Sequence, residues 1–362
     1  MDSLSQFALG ATVSVAAMGR RAPVWKAALW GGLCGTLPDL DALIDYGDPI
    51  RNMTFHRAAS HSLLYLAVLS PGFAWLVAKT ARGADPPNSL FRYWWLATFL
   101  ALFTHPLLDL MTVYGTQLLQ PFTDHPFNIG SIFIIDPLLT VPLLVGLLAT
   151  GIARGISRHR WNQLGLAIAV IYLGWSMAAQ AWVKRIAERD LLAQGIAVDQ
   201  LLVTAAPFNT ILWRIVAMEP GGGAYHEGFH SLLDKTGEIR FERFTSEREI
   251  FPQLRGNWGA ERIAWFSQGF FRIARRDDVV TITDIRMGIE PVYFFEFAVA
   301  RGTPNPGWEE TPYESVGSRG NAAKVLDWLW PRIIGSGLPP PRPGRATRHG
   351  SSVEAKLAET KS

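Results

Sequence analysis

Hydrophobic and polar positions follow two different patterns on either side of about residue 183. The first half of the chain contains long apolar runs, and a membrane-spanning helix needs about 17–25 mostly apolar residues. Runs of this kind cover residues 62–78, 93–111, 137–153 and 163–183, and two weaker runs cover 4–18 and 27–44. We therefore predict a mainly α membrane protein in which residues 1–183 form a bundle of about six transmembrane helices.

The second half has the pattern of a small β domain preceded by a short helix. Residues 184–200 are predicted to form an amphipathic linker helix, because Ile186, Leu191 and Leu192 recur among charged positions. Stretches rich in β-branched and aromatic residues, at 209–216, 265–273, 279–285 and 292–299, are separated by turn-forming segments. We therefore predict an extramembrane antiparallel β domain over residues 201–334. The tail, 335–362, is rich in Pro, Arg and Ser and is predicted to be disordered.

Composition supports a membrane protein and excludes several classes. Of 362 residues, 49% are hydrophobic and 18% are charged, against about 25% charged in soluble domains. This excludes a disordered chain, a disulfide-stapled secreted domain and an ordinary cytosolic enzyme. The single cysteine, Cys34, can form no internal disulfide. A net charge of +3 is too small to indicate direct nucleic-acid binding. Membrane lipids and an amphiphilic substrate are the expected partners, and any protein partner stays unspecified.

Basic residues concentrate in alternate loops of the predicted bundle. Cytoplasmic loops of membrane proteins carry an excess of Lys and Arg, which places loops one, three and five in the cytoplasm. The N-terminus, the site described next and the β domain would then face the periplasmic side of a bacterial inner membrane. Lys184, Arg185 and Arg189, just after the last run, argue mildly against this orientation. The basic residues of the three loops are Arg20, Arg21 and Lys26, then Lys79, Arg82 and Arg92, then Arg154, Arg158 and Arg160.

Ionisable residues fall at the predicted helix ends on one membrane face. His105 and Asp109 are four apart in an apolar run, so they share one helix face, and ionisable groups are costly in such a run. Carboxylates and imidazoles that converge from several helix ends are what a metal site needs. His and Asp together suit zinc, and also manganese or iron. The other ionisable residues at these helix ends are Asp39 and Asp41 at the end of the second run, His56, Arg57 and His61 before the third, and Asp136 before the fifth.

Some of the ionisable residues also have an interpretation that needs no metal. Asp136 stands directly before Pro137, which is the pattern of a helix N-cap. Arg57 can pair with a carboxylate or a lipid headgroup. Surface positions are expected for Asp45, Asp48 and His125.

The segments that carry these residues resemble the YdjM-like family of inner-membrane proteins. The segments are MDSLSQFALGA, LPDLD, FHRAASHSLL, FTHPLLDLMTVYGTQLLQPF and FIIDPL, and they occur in order within about the first 150 residues. The family is described as metal-dependent hydrolases and also as LexA-binding. Family members often have a histidine where this chain has Gln6. An amide is a poor zinc ligand, so this difference affects how many metal ions the site can hold. The resemblance implies metal-site positions at Asp39, Asp41, His56, His61, His105 and Asp109.

The function predicted from these features is a membrane-embedded metal-dependent hydrolase that acts through a metal-activated water. Asp39 or Asp41 would serve as ligand or general base, and Arg57 would hold a substrate phosphate. A lipid or phosphoester substrate is suggested by a distant likeness to zinc-dependent phospholipase C. One alternative is a membrane-anchored, non-catalytic binding or regulatory protein. A metal transporter is disfavoured, because the fifth and sixth runs carry no ionisable residue at the bilayer midplane.

Overall fold

The computed structural model describes residues 1–81, 90–155, 158–235, 237–303, 307–317 and 322–342. This structure is about half helical and ends in an antiparallel β domain. The α-helices are α1 (Ser3–Met18), α2 (Val24–Thr36), α3 (Pro49–Phe55), α4 (Leu63–Thr80), α5 (Phe91–Leu110), α6 (Pro137–Ile152), α7 (His159–Ala193), α8 (Trp258–Phe266) and α9 (Ala322–Ile333).

Two of the helices in the described ranges, α4 and α7, are long and apolar enough to cross a membrane. Each of the six predicted apolar runs contains a helix, but α1 and α6 have only 16 residues each. The second run ends early, because Pro38 follows α2 and residues Pro38–Leu43 form a 3-10 helix instead. A six-helix transmembrane bundle therefore stays a prediction.

The first two helices pack at backbone contact. A Cβ atom added to Gly31 would lie 2.2 Å from the Cβ of Ser14 and 2.5 Å from the carbonyl oxygen of Gly10. Only glycine permits this separation. The close packing also brings the end of α2, with the carbonyl of Gly35, against α5.

Helix α7 connects the helical region to the β domain. Its 35 residues correspond to about 52 Å at 1.5 Å per residue, which exceeds a hydrocarbon core of about 30 Å. The last turns therefore project beyond a membrane, and Val183 and Ala187 pack there against Trp213 and Ile215 of the β domain. The predicted linker helix over 184–200 is thus not a separate element, because α7 continues without a break to Ala193.

The β domain contains two four-stranded antiparallel sheets and a short two-stranded ribbon. The first sheet has the order β1-β2-β3-β4 and the second has the order β10-β9-β6-β5. The strands are β1 (Gln200–Ala205), β2 (Leu212–Met218), β3 (Ala224–Ser231), β4 (Glu242–Thr245), β5 (Phe271–Arg276), β6 (Val279–Asp284), β7 (Gly288–Ile289), β8 (Val292–Tyr293), β9 (Glu296–Gly302) and β10 (Trp308–Ser315).

Three local predictions in this half were wrong. The segment 265–273 is not one strand, because Asn257 caps α8 through the N–H of Ala260 and that helix extends to Phe266. The segment 292–299 is divided between β8 and β9. Residues 335–342 are ordered against the β domain, where Arg342 pairs with Glu227 at 2.7 Å. The rest of the predicted disordered tail, 343–362, lies outside the described residues.

The β domain packs directly on the helical region. Ile50 and Met53 of α3, together with Tyr114, share one hydrophobic core with Phe266 and Phe297. The hydroxyl of Tyr114 donates a 2.6 Å hydrogen bond to the carbonyl oxygen of Met53. This core holds the β domain beside the loops that carry the ionisable residues.

Candidate metal centre

Four ionisable side chains from three separate segments meet at the ends of the helices. Asp39 lies in the 3-10 helix Pro38–Leu43, His61 ends the 3-10 helix Ala59–His61, and His105 and Asp109 lie on α5. One potential ligand atom of each residue lies within 4.8 Å of those of the other three. Three of the residues are fully buried, whereas the side chain of Asp39 is 14% exposed. We call these four residues the His–Asp cluster.

Local sequence explains how the cluster forms. His105 and Asp109 lie one helical turn apart, so His105 Nε2 is 3.3 Å from Asp109 Oδ2. Pro38 lacks a backbone N–H, so α2 ends before it and Asp39 comes to lie beside α5. Ser62 caps α4 by accepting a hydrogen bond from the N–H of Tyr65, which places His61 just before that helix.

The distances within the cluster match those between the ligands of one small cation. The two Nε2 atoms of His61 and His105 are 3.0 Å apart. Asp109 Oδ2 is 3.2 Å from His61 Nε2, and Asp39 Oδ1 is 3.5 Å from each Nε2. A tetrahedral zinc ion with bonds of about 2.0–2.1 Å holds its ligand atoms about 3.3–3.4 Å apart. Five of the six separations therefore approach those around one tetrahedral ion, and the sixth, between the oxygens of Asp39 and Asp109, is within 4.8 Å.

Hydrogen bonds outside the cluster direct the Nε2 atoms of both imidazoles inward. The Nδ1 of His105 is 2.6 Å from the carbonyl oxygen of Gly35, which can only accept, so Nδ1 carries the proton. The Nδ1 of His61 is 2.9 Å from Ser60 Oγ, whose hydroxyl donates to Asp41. Both oxygens of Asp39 and the Oδ2 of Asp109 are buried without a hydrogen-bond partner. Inward-facing Nε2 atoms and unpartnered carboxylate oxygens fit a divalent cation held between them.

The electrostatics of the cluster favour positive charge. Burial by itself lowers the pKa of His61, but the carboxylates of Asp109, Asp39 and Asp41, which lie 3.2–3.6 Å from its ring nitrogens, outweigh burial and raise this pKa to about 9. For Asp41, burial is again opposed and outweighed, here by hydrogen bonds from His56 and His61, so its pKa lies well below the ordinary value. The neighbouring side chains thus favour the charged form of both the His61 imidazole and the Asp41 carboxylate.

Asp41 and His56 lie outside the cluster as a pair of their own. His56 Nδ1 is 2.7 Å from Asp41 Oδ1. The other oxygen of Asp41 accepts hydrogen bonds from the backbone N–H of Arg57, at 3.0 Å, and from Ser60 Oγ. Asp41 therefore holds His61 through Ser60, which is the usual relation between a carboxylate and a metal-binding histidine.

Arg57 joins this pair to the cluster. Its backbone has φ +63°, a left-handed conformation that is costly for a residue with a Cβ. The guanidinium Nη2 lies 3.3 Å from Asp109 Oδ1, and its carbon is 4.9 Å from the centre of the Tyr114 ring. Its Nε is buried without a partner. The side chain is thus held against the cluster by Asp109 and Tyr114.

Gln6 stands beside the cluster as a hydrogen-bond donor. Its Nε2 donates to the carbonyl oxygen of His105 at 3.1 Å and to Asp109 Oδ1 at 3.2 Å. The α-amino group of Met1 forms an ion pair with the same Asp109 oxygen. These contacts occupy Oδ1 and leave Oδ2 directed at the two histidines.

The remaining ionisable candidates are distributed elsewhere. Asp136 caps α6 by accepting from the N–H of Leu138 at 3.0 Å, as its position before a proline predicts. Asp48 caps α3 in the same way. Asp124 lies near Arg262 at 3.5 Å, and Asp45 and His125 are exposed.

Sequence reasoning missed several groups that shape this site. The carbonyl of Gly35 orients His105, and a backbone acceptor leaves no signal in a sequence. Ser60 was also missed, although its place between two histidines in FHRAASHS was visible. The aromatic side chains of the β domain that pack beside the site are far from it in sequence, so no local sequence pattern indicates them.

A cavity of about 500 Å³ lies next to the Asp41–His56 pair, between the helical region and the β domain. We call it the interdomain cavity. Its walls in the first half of the chain include Asp41, Leu43, Ile44, Asp45, Asn52 and His56. The β domain contributes Phe294, Phe295, Phe297 and Ser315.

Helices suited to a membrane, together with a buried His–Asp cluster, define an integral membrane protein with a candidate metal site. The family described as YdjM inner membrane protein matches residues 1–183, and the chain belongs to this family. The β domain lies beyond the matched region.

The chain is also similar to a curated protein from Bacillus subtilis (strain 168), the uncharacterized protein YfhP. The two are 27% identical over 113 residues, which is 30% of this chain and 32% of YfhP. The chain thus spans about a third of the length of this relative. No solved structure matches the chain.

Proposed function

We propose that this chain is a multi-pass, membrane-embedded metal-dependent hydrolase that acts through a metal-activated water, with zinc as the best-fitting ion. The observation that carries the proposal is the set of four inward-facing donor groups whose ligand atoms lie within 4.8 Å of one another, five of the six pairs being 3.0–3.5 Å apart. A divalent ion bound there supplies Lewis acidity and lowers the pKa of a water toward 7. Membership of an inner-membrane family supports the location.

The residues around the cluster have distinct proposed roles. Asp39 is the partly exposed member and both its oxygens lack partners, so we assign it as a ligand that can also accept a proton from water. Asp41 orients His61 through Ser60. Arg57, with an unpartnered Nε, stabilises negative charge on the substrate. A lipid or phosphoester is the proposed substrate class.

One observation favours the alternative of a non-catalytic, membrane-anchored protein. Four protein ligands that complete a tetrahedron are typical of a structural zinc site, whereas catalytic sites keep one position open. In that case the ion would tie α5 to the two 3-10 helices that carry Asp39 and His61. Asp39 decides between the alternatives, because it is the member of the cluster whose side chain is partly exposed, although its two carboxylate oxygens are buried.

Metal analysis of purified protein tests the site. Replacing His105 and Asp109 together with alanine should abolish bound metal, while His125→Ala, at an exposed position, should leave it unchanged. Equal metal content in the double variant would overturn the site. Asp39→Asn should retain metal and lose chelator-sensitive hydrolysis of phosphoester and lipid-ester probes. If wild-type protein holds metal and hydrolyses none of these probes, the non-catalytic alternative is correct.

A further inference from the structure

The interdomain cavity combines a polar end and an apolar end. The polar end is formed by the Asp41–His56 pair, with Asn52 and Asp45 beside it. The apolar end is formed by Leu43, Ile44 and the aromatic side chains of the β domain. A cavity of about 300–1,000 Å³ with apolar walls and a few polar groups is typical of a site for a small organic molecule.

The apolar end opens outward. Leu43 is 83% exposed, Ile44 is 53% exposed and Phe294 is 55% exposed. These three large apolar side chains are exposed together at the mouth of the cavity, where they can contact an apolar chain. Leu43 is the last residue of the 3-10 helix that carries Asp39 and Ile44 follows it, so this surface begins beside the candidate metal centre.

The charges of the cavity restrict what it can bind. Its lining includes the carboxylates of Asp41 and Asp45, and no Lys or Arg is present among the described residues that line it. An anionic group in the cavity would lie near these carboxylates, and the basic side chain among the described lining residues, His56, is already paired with Asp41 at 2.7 Å. A group that donates hydrogen bonds or carries positive charge would be stabilised by them, and aromatic rings such as Phe294 and Phe295 also attract cations.

We propose that the interdomain cavity binds the uncharged or cationic part of an amphiphilic substrate, with its apolar chain along Leu43, Ile44 and Phe294. This inference rests on the proposed function, because it names the substrate class of the same site. Asp41 connects the interdomain cavity to the His–Asp cluster, since its Oδ2 lies 3.6 Å from His61 Nδ1 while its side chain lines the cavity. Phe294 and Phe295 lie beyond the family match, which ends at residue 183, so the β domain selects the substrate.

Protection of an introduced cysteine measures binding without any need for catalysis. In full-length Cys34→Ser protein in lipid nanodiscs, Ile44→Cys would be labelled with a maleimide in the presence of octyltrimethylammonium, octyl glucoside or octyl phosphate. A ligand at about ten times its Kd should slow labelling about tenfold. The first two probes should protect, and octyl phosphate should not. The matched control is Phe122→Cys, which is 81% exposed and does not line the cavity, and its labelling should not change.

The outcomes separate this proposal from the proposed function. Protection by octyl phosphate equal to that by the other probes, or equal protection at Phe122→Cys, would overturn the cavity assignment. Leu43→Trp, which adds volume at the cavity mouth, should abolish the protection. His105→Ala in the same background should lose metal and keep the protection. Metal binding without protection at Ile44→Cys would leave the hydrolase proposal standing and reject the cavity as its substrate site.

Discussion

The Nε2 atoms of His61 and His105 face each other at 3.0 Å, and the opposite nitrogen of each ring is engaged elsewhere. At this distance the two nitrogens either share a proton in a hydrogen bond or bind one cation. The carboxylate Oδ2 of Asp109 lies 3.2 Å from the first and 3.3 Å from the second. The arrangement therefore favours positive charge at its centre, and this preference is the basis of the predictions for the site.

Ser60 should be needed for tight metal binding even though it is not a ligand. Its hydroxyl links His61 Nδ1, at 2.9 Å, to Asp41. Ser60→Ala removes this link, so metal affinity should fall by about 10–100-fold, the range for such outer partners. Competition with a chromogenic chelator measures the affinity. The control is Ser267→Ala, directly after α8, which should leave the affinity unchanged, and an unchanged affinity in Ser60→Ala would remove the proposed role.

Gly35 should be required for the packing of α1 on α2 and for the orientation of His105. A Cβ at this position would lie 2.8 Å from the carbonyl oxygen of Gln6 and 3.0 Å from the Cα of Gly10. Gly35→Ala should therefore destabilise the helical region by about 1–3 kcal/mol and weaken metal binding.

Gly72 in α4 provides the matched control for that substitution. A Cβ at Gly72 meets no atom within 4 Å, and alanine is favoured over glycine in a helix interior by about 0.5–1 kcal/mol. Thermal unfolding in detergent should show a lower midpoint for Gly35→Ala and an equal or higher one for Gly72→Ala. Equal midpoints in the two variants would contradict the close packing.

The orientation in the membrane is testable by reporter fusions. The alternation of basic loops places residue 86 in the cytoplasm and residue 310 in the periplasm. Alkaline phosphatase fused after residue 310 should be active, and the same enzyme fused after residue 86 should be inactive. The reverse pattern would show that the site and the β domain face the cytoplasm.

The β domain should lose stability in acid through Glu219. This carboxylate accepts hydrogen bonds from Arg243 at 2.6 and 2.9 Å and faces His226 at 2.8 Å. The Arg243 hydrogen bonds, with a smaller contribution from His226, lower the pKa of Glu219 from 4.5 to about 2. Because the folded-state pKa is the lower one, the stabilisation is present above pH 4.5 and is lost as the pH falls toward 2.

The difference in unfolding temperature between wild type and Glu219→Gln isolates the contribution of the Glu219 carboxylate to stability. At pH 7 the wild type should unfold at the higher temperature, and the difference should shrink steadily as the pH falls from 4.5 toward 2. Glu314→Gln, at an exposed position of β10, should show no such trend. A difference that does not depend on pH would indicate that the carboxylate charge of Glu219 is not the cause.

The sequence by itself determined the helical segments, the β-rich second half and the pairing of His105 with Asp109. These depend on local rules: apolar length predicts a helix, and a spacing of four places two side chains on one helix face. The family resemblance also followed from short motifs in order, and the match over residues 1–183 confirms it.

Tertiary packing alone divided the six candidate ligands into a cluster of four and the separate Asp41–His56 pair. Nothing in the spacing distinguishes Asp39 from Asp41, because the two differ only in the direction that a 3-10 helix gives each side chain. Sequence spacing likewise gives no sign that the carbonyl of Gly35 orients His105 or that Phe294 lies in the cavity wall. These groups reach the site through contacts between distant parts of the chain, which depend on how helices and sheets pack and leave no local pattern in the sequence.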